Sequence, residues 1–160
     1  MLSVFARDVL AAGPAVLGAL VAADGAGALV AALAIAAQRG QIAHRTLFAA
    51  AIVIGPVLLV ALSASRHLAA CLVLLVVLGV AESAFAAMQS TLVLLQAPEA
   101  SRGRAMGILS ACIGTQPAGT LWIGFLAGGI GVSAAMAING LAALLAMLPA
   151  AWPLARRGRV

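Results

Sequence analysis

Residues 68–95, LAACLVLLVVLGVAESAFAAMQSTLVLL, form a long apolar run that contains one charged side chain, Glu82. A helix of about 20 apolar residues, rising about 1.5 Å per residue, crosses the hydrocarbon core of a bilayer, which is about 30 Å thick. Apolar runs of about 18 residues or more are typical of transmembrane helices. This stretch therefore predicts a helix that crosses a membrane.

The composition of the whole chain indicates the same environment. The chain has 160 residues, of which 65% are hydrophobic and only 8% are charged, whereas soluble domains carry about 25% charged residues. A soluble domain of about 150 residues still leaves about 30% of its chain surface in water, so it could not hide this much apolar surface. We therefore predict an all-α, polytopic membrane helix bundle in a lipid bilayer.

The apolar runs predict about five transmembrane helices. The candidate spans are 14–37, 46–63, 68–95, 105–127 and 130–154. Residues 1–13 are too few to span a membrane, and we interpret them as the outer end of a truncated helix followed by a loop. Residues 155–160, ARRGRV, are interpreted as a basic tail.

The arginines predict the orientation of these spans. All nine basic residues are arginine, and seven of them lie in the alternate gaps that include the C-terminal tail. Arginine and lysine accumulate in cytoplasmic loops, so we predict a cytoplasmic C-terminus and an N-terminus outside. The net charge of +5 then faces anionic lipid headgroups, and no nucleic-acid partner is expected.

Small residues and prolines within the spans predict how the helices pack and bend. Gly124 and Gly128 form a GxxxG pair, and Gly18 begins a series of small residues at the same spacing. Small residues let helix backbones approach each other in lipid, so all three glycines are expected at helix contacts. Pro56 and Pro117 predict kinks in the second and fourth spans.

The stretch 98–104, PEASRGR, predicts a tight cytoplasmic turn between the third and fourth spans. Pro98 should end the preceding helix because proline cannot continue it, and Ser101 can cap the next helix. Arg102 and Arg104 then hold the turn on the cytoplasmic side. This interpretation requires no further function.

Two carboxylates fall near the middle of predicted spans, Asp24 in the first and Glu82 in the third. A charge at the bilayer centre costs about 2.5–3.5 kcal/mol on insertion scales, so such residues are often functional. Each is either a substrate or proton site, with Glu82 the stronger candidate, or a protonated carboxyl that bonds a neighbouring helix. Gln89, Gln116 and Asn139 either line the same path or form hydrogen bonds between helices.

No combination of residues indicates an enzyme. The sequence contains neither a phosphate-binding glycine loop nor a nucleophile and base at a catalytic spacing, so no cofactor is expected. His44 and His67 are predicted on opposite sides of the membrane, where they cannot share a metal ion.

Three stretches resemble the C-terminal half of a major facilitator superfamily transporter. They are FARDVLAAGPAVLGAL (5–20), QSTLVLLQAPEASRGRAMGI (89–108) and TQPAGTLWIGFLAG (115–128). The similarity is to the bacterial drug and siderophore exporters, the branch that includes the enterobactin exporter. It implies that the five spans correspond to helices eight to twelve of a twelve-helix protein, with residues 1–13 at the outer end of helix seven.

The resemblance also implies a function and partners. It implies secondary active export of small amphipathic molecules by alternating access, driven by protons, in the bacterial plasma membrane. The turn residues Glu99, Arg102, Gly103 and Arg104 would then hold the cytoplasmic side closed through charge pairing, with Arg104 the main candidate. An N-terminal transporter half, or another membrane chain, is the expected partner. The alternative is a small membrane protein that does not transport, either a degenerate fragment or a scaffold subunit.

Overall fold

The computed structural model describes residues 2–8, 13–37 and 44–157, and within them the chain is helical without strands. The helices are α1 (Leu2–Asp8), α2 (Pro14–Ala37), α3 (His44–Ala64), α4 (Leu68–Gln96), α5 (Arg102–Gly114), α6 (Gln116–Ile130) and α7 (Val132–Arg157), with a 3-10 turn at Glu99–Ser101. In the described residues, α2, α3, α4 and the Val132–Pro149 part of α7 are long and apolar enough to span a membrane. The prediction of an all-α polytopic membrane bundle is confirmed.

The stretch 105–127 is predicted as one span. In the structure its regular helix is interrupted at Thr115, so the stretch contains parts of two helices, α5 and α6. Pro117 has no N–H to donate to the carbonyl of Ile113, four residues earlier. The N–H and the Oγ1 of Thr115 both donate to the Cys112 carbonyl, at 3.2 Å and 2.7 Å. The resulting helices have 13 and 15 residues, about 20 Å and 23 Å, so neither crosses a bilayer core of about 30 Å alone.

Helix α3 lies in the middle of the packed bundle. It contacts both α4 and α7, while α2 packs against the other side of α4. Helices α5 and α6 are peripheral: among the described elements, α5 contacts α4, the 3-10 turn and α6, and α6 contacts α5 and α7. Residues 110–122 are all exposed. The molecule therefore combines a packed group of long helices with a loosely attached helix pair.

The main hydrophobic core lies at one end of the bundle. Its buried side chains come from the first half of α2 and α4, the first turns of α7, the last turn of α3, and α1. They are Phe5, Ala6, Leu20, Leu62, Cys71, Leu75, Leu78, Val132 and Met136. Helices α2, α4 and α7 thus begin at the end of the bundle where α3 finishes. Helix α3 therefore runs opposite to these three helices, and the α5–α6 segment leads from the end of α4 back to the start of α7.

Three glycines make the closest contacts between helices. A Cβ on Gly27 of α2 would overlap the carbonyl oxygen of Val76 in α4. A Cβ on Gly79 of α4 would overlap the carbonyl oxygen of Asp24 in α2. On α7, a Cβ on Gly140 would lie 3.1 Å from the carbonyl oxygen of Pro56 in α3. Because lipid provides no hydrophobic driving force between helices, such close backbone contacts are what favour their association.

The glycines singled out by sequence lie elsewhere. Gly18, Gly124 and Gly128 are exposed, and no atom lies within 4 Å of the position that a Cβ would occupy on any of them. They make no close helix contact within the described part of the chain, so the helix contacts expected at these glycines stay a prediction. Pro56 lies inside the unbroken helix α3, and the kink expected there also stays a prediction.

Candidate functional site

The crossing of α2 and α4 brings the two predicted carboxylates into one region. The missing Cβ of Gly79 would stand 2.9 Å from the carbonyl carbon of Asp24 and 3.0 Å from the backbone nitrogen of Ala28. Glu82 follows Gly79 by three residues, which is about one helical turn. Two acids 58 positions apart in sequence therefore lie on facing helices beside one contact point.

The two carboxyl groups differ in their surroundings. The Oδ1 atom of Asp24 is buried and has no hydrogen-bond partner among the described residues. A buried acceptor without a partner usually costs about 1–3 kcal/mol. Glu82 is exposed, and it lines a cavity.

This cavity lies between α3, α4 and α7 and has a volume of about 270 Å³. Its walls are almost entirely apolar, and they include Leu59 on α3, Leu78 on α4 and Met147 on α7. Glu82 is the one charged residue among the residues that line it. Glu82 thus lies at a cavity between helices of this chain, and its place on a substrate or proton path stays a prediction.

An aromatic pair lies beside the cavity. Phe85, one turn after Glu82 on α4, lines the cavity and stacks on Phe48 of α3 with ring centroids 5.4 Å apart and an interplanar angle of 18°. Offset stacking of this kind contributes about 0.5–1.5 kcal/mol beyond the area it buries. The stack holds the Phe85 ring in place next to the Glu82 carboxylate.

The other polar candidates lie away from this cavity. Gln89 is half-buried on α4, two turns beyond Glu82, and Asn139 is half-buried on α7 beside Gly140. Gln116 is exposed at the start of α6, where its carbonyl accepts a hydrogen bond from Thr120 Oγ1 at 3.1 Å. None of the three residues lines the cavity, so their place on a substrate path stays a prediction.

The turn between α4 and α5 begins as the sequence predicts. Helix α4 ends at Gln96, and Ala97 is extended, with φ −75° and ψ 130°, as a residue before proline usually is. The predicted cap at Ser101 is wrong: its Oγ donates to the Pro98 carbonyl at 3.1 Å and caps no N–H of α5. That bond satisfies the hydroxyl within the turn.

The four residues predicted to hold the cytoplasmic side closed are all at the surface. Exposed side chains or backbone are found at Glu99, Arg102, Gly103 and Arg104. In the part of the chain that the structure describes, Arg104 forms no ion pair that would hold the cytoplasmic side closed, so its gating role stays a prediction. The described residues also bring together no three His, Cys, Asp or Glu side chains that could hold a metal ion.

Sequence reasoning missed the residues that build the site. Gly27, Gly79 and Gly140 set the distances between helices, and Phe85 forms one wall of the cavity. A glycine within a span was the available signal, but the chain has 17 glycines, and their positions do not show which of them face a neighbouring helix.

Apolar helices of spanning length, packed through glycines and with acidic residues within the spans, define a polytopic membrane protein. Residues 1–155 match the family profile described as transmembrane secretion effector, of major facilitator superfamily type. The chain belongs to this family, which supports a transporter role. No match was found among curated proteins or among solved structures.

Proposed function

We propose that this chain is part of a secondary active transporter that exports small amphipathic molecules by alternating access, driven by proton entry. The observation that carries the proposal is the pair of carboxylates, Asp24 and Glu82, on the crossing helices of a chain that belongs to a transporter family. Ionisable residues inside membrane spans commonly form proton relays and substrate pathways.

The chemistry of the pair supports proton coupling. A protonated carboxyl is neutral, so it remains in a low-dielectric site at little cost and loses its proton when water reaches it. Two neighbouring carboxylates repel each other when both are ionised, so the charge state of Asp24 affects that of Glu82. Each opening of the bundle to a different side of the membrane can therefore exchange a proton.

We further propose that the chain supplies the C-terminal half of such an exporter, of the bacterial drug and siderophore type, in the plasma membrane with its C-terminus in the cytoplasm. The exposed surfaces of α5 and α6, with Gly124 and Gly128, favour a partner that covers them. In this arrangement the N-terminal half packs against these helices, and Arg104 pairs with an acid of that half.

The size of the native polypeptide tests this arrangement. An antibody against the tail sequence ARRGRV should detect, in the source membrane, a band at more than twice 15.8 kDa. A band near 15.8 kDa would instead favour a small membrane protein that does not transport and packs against another chain.

Proton-coupled export is tested in everted vesicles that contain the native full-length protein and an imposed proton gradient. Three compounds are added in turn: a neutral amphipath, an anionic catechol and a cationic amphipath. The proton gradient is followed with a pH-sensitive dye. We expect at least one compound to dissipate the gradient in wild-type vesicles and not in Glu82→Gln vesicles. Arg66→Gln removes a charge from the exposed connection between α3 and α4 and serves as the control. Equal dissipation with and without the protein, for every compound, would contradict the proposal.

A further inference from the structure

The cavity between α3, α4 and α7 has the composition of a site for a small cation with an apolar body. We propose that it binds organic ammonium ions, which place the protonated amine at Glu82 and the hydrocarbon part among the apolar walls. This inference rests on the proposed function, because it names the chemical class of substrate that the transporter takes through this cavity.

Charge gives the first argument. Glu82 is the single charged residue of the lining, and its side chain is exposed at the cavity edge. A carboxylate in apolar surroundings is costly unless it is paired, and no cation pairs with Glu82 among the described residues. A positively charged ligand provides that partner, whereas an anionic ligand would be repelled.

The backbone of α3 gives the second argument. Pro56 has no N–H, so the carbonyl of Ile52, four residues earlier, lacks its usual helical donor. Both Ile52 and Pro56 line the cavity. The lining residues therefore include one side-chain acceptor, the Glu82 carboxylate, and one backbone carbonyl without its helical donor, and none of them has a side-chain N–H or O–H donor when Glu82 is ionised. An ammonium group donates up to three hydrogen bonds and accepts none, which matches this set.

The aromatic pair and the size of the cavity give the third argument. A cation within about 6 Å of an aromatic face is attracted by it, and Phe85 stands one turn from Glu82 with its ring held by Phe48. The volume of about 270 Å³ is near the lower bound of about 300 Å³ for small-molecule sites. One small amine, or the amine-bearing end of a larger molecule, fits this space.

Binding is tested by calorimetry on the native full-length protein in nanodiscs of phosphatidylcholine, with empty nanodiscs as the reference. The probes are 2-phenylethylammonium, the neutral 2-phenylethanol, and the trimethylated ammonium, which has the charge but no N–H. We expect the primary ammonium to bind at least tenfold more tightly than the alcohol. The trimethylated probe should bind severalfold more weakly than the primary ammonium, because it cannot donate to the two acceptors.

Two variants and one control separate charge from space. Glu82→Gln should reduce ammonium binding to the level of the alcohol while alcohol binding stays within twofold. Ala143→Leu places a larger side chain from α7 in the cavity, and it should lower the affinity for both the ammonium and the alcohol at least fivefold. Arg66→Gln, in the exposed connection between α3 and α4, should leave the binding of both probes unchanged.

The outcomes distinguish this inference from the proposed function, since binding is measured without a gradient. Equal affinity of wild-type protein for ammonium and alcohol, or an ammonium preference that survives Glu82→Gln, overturns the inference. Alcohol binding alone would identify the cavity as a site for neutral molecules or lipid chains. Compound-driven proton flux without ammonium binding would leave the proposed function standing and remove only the ammonium site.

Discussion

The α2–α4 crossing and the α5–α6 pair are both rich in glycine, yet they use it differently. At the crossing, Gly27 and Gly79 bring two backbones into direct contact. In α5 and α6, Gly124 and Gly128 face open space, and most of the surrounding surface is exposed. The comparison teaches that a small residue tightens a membrane bundle only where another helix lies opposite it.

The largest expected change in stability comes from substitutions at the closely packed α2–α4 crossing. Gly27→Ala and Gly79→Ala should each lower the free energy of unfolding by about 3 kcal/mol, at the upper end of the cost of overpacking, because the new methyl group meets backbone that cannot rotate away. Unfolding is measured by titration with sodium dodecyl sulfate in mixed micelles.

Gly124→Ala is the matched control in the loose region. It should change the free energy of unfolding by less than about 1 kcal/mol, in favour of the variant, since alanine is the better helix former. Equal losses at Gly27 and Gly124 would mean that the exposed glycines pack as closely as the buried ones.

The next effect concerns the acid at the tight crossing. Asp24→Ala should raise the free energy of unfolding by about 1–2 kcal/mol, because it removes a buried oxygen that has no partner. The same titration measures it, with Glu82→Gln as the comparison at an exposed position. A loss of stability in Asp24→Ala would show that the carboxyl has a stabilising partner. If the proposed coupling is right, the stabilised variant also loses proton-driven export.

A smaller change in stability is expected in the loosely packed α5–α6 pair. Pro117→Ala gives residue 117 an N–H that can donate to the carbonyl of Ile113, so α5 and α6 should join into one helix. Spin labels at the exposed positions Ser110 and Leu121 should then move apart to about 16 Å between backbones, as in a straight helix. The free energy of unfolding should change by less than about 1 kcal/mol, because this segment makes few contacts. An unchanged distance would place the cause of the interruption outside Pro117.

The smallest effect on stability is expected at the turn. Arg104→Gln should alter the free energy of unfolding by less than about 0.5 kcal/mol, as surface substitutions usually do. Export should nevertheless fall if Arg104 closes the cytoplasmic side, and Arg104→Lys should retain it. Normal export in Arg104→Gln would leave the arginine with the simpler role of a topological signal.

The sequence predicts the fold class because apolar length alone identifies a membrane helix. It also identifies Glu82 and Asp24, since a charge within an apolar run is conspicuous. It does not reveal the crossing at Gly27 and Gly79. In a soluble protein the buried face is the apolar face, but here the lipid-facing and helix-facing sides are equally apolar, so no periodic pattern marks the contact. The division at Thr115 was missed because Pro117 predicts a bend, and the extent of the bend depends on contacts that a single helix does not specify.

The two backbone contacts at the α2–α4 crossing, Gly27 with Val76 and Gly79 with Asp24, can also serve as a pivot. With no side chain between the two backbones, α4 can rock on α2 without repacking of side chains at the point of contact. Glu82 lies about 4.5 Å along the axis from Gly79, whereas Gln96 at the end of α4 lies about 25 Å away. A rigid rotation about this point therefore moves Gln96 between about five and six times as far as Glu82. A small rotation of α4 would thus leave the Glu82 carboxylate almost in place while it displaces the turn at 97–101.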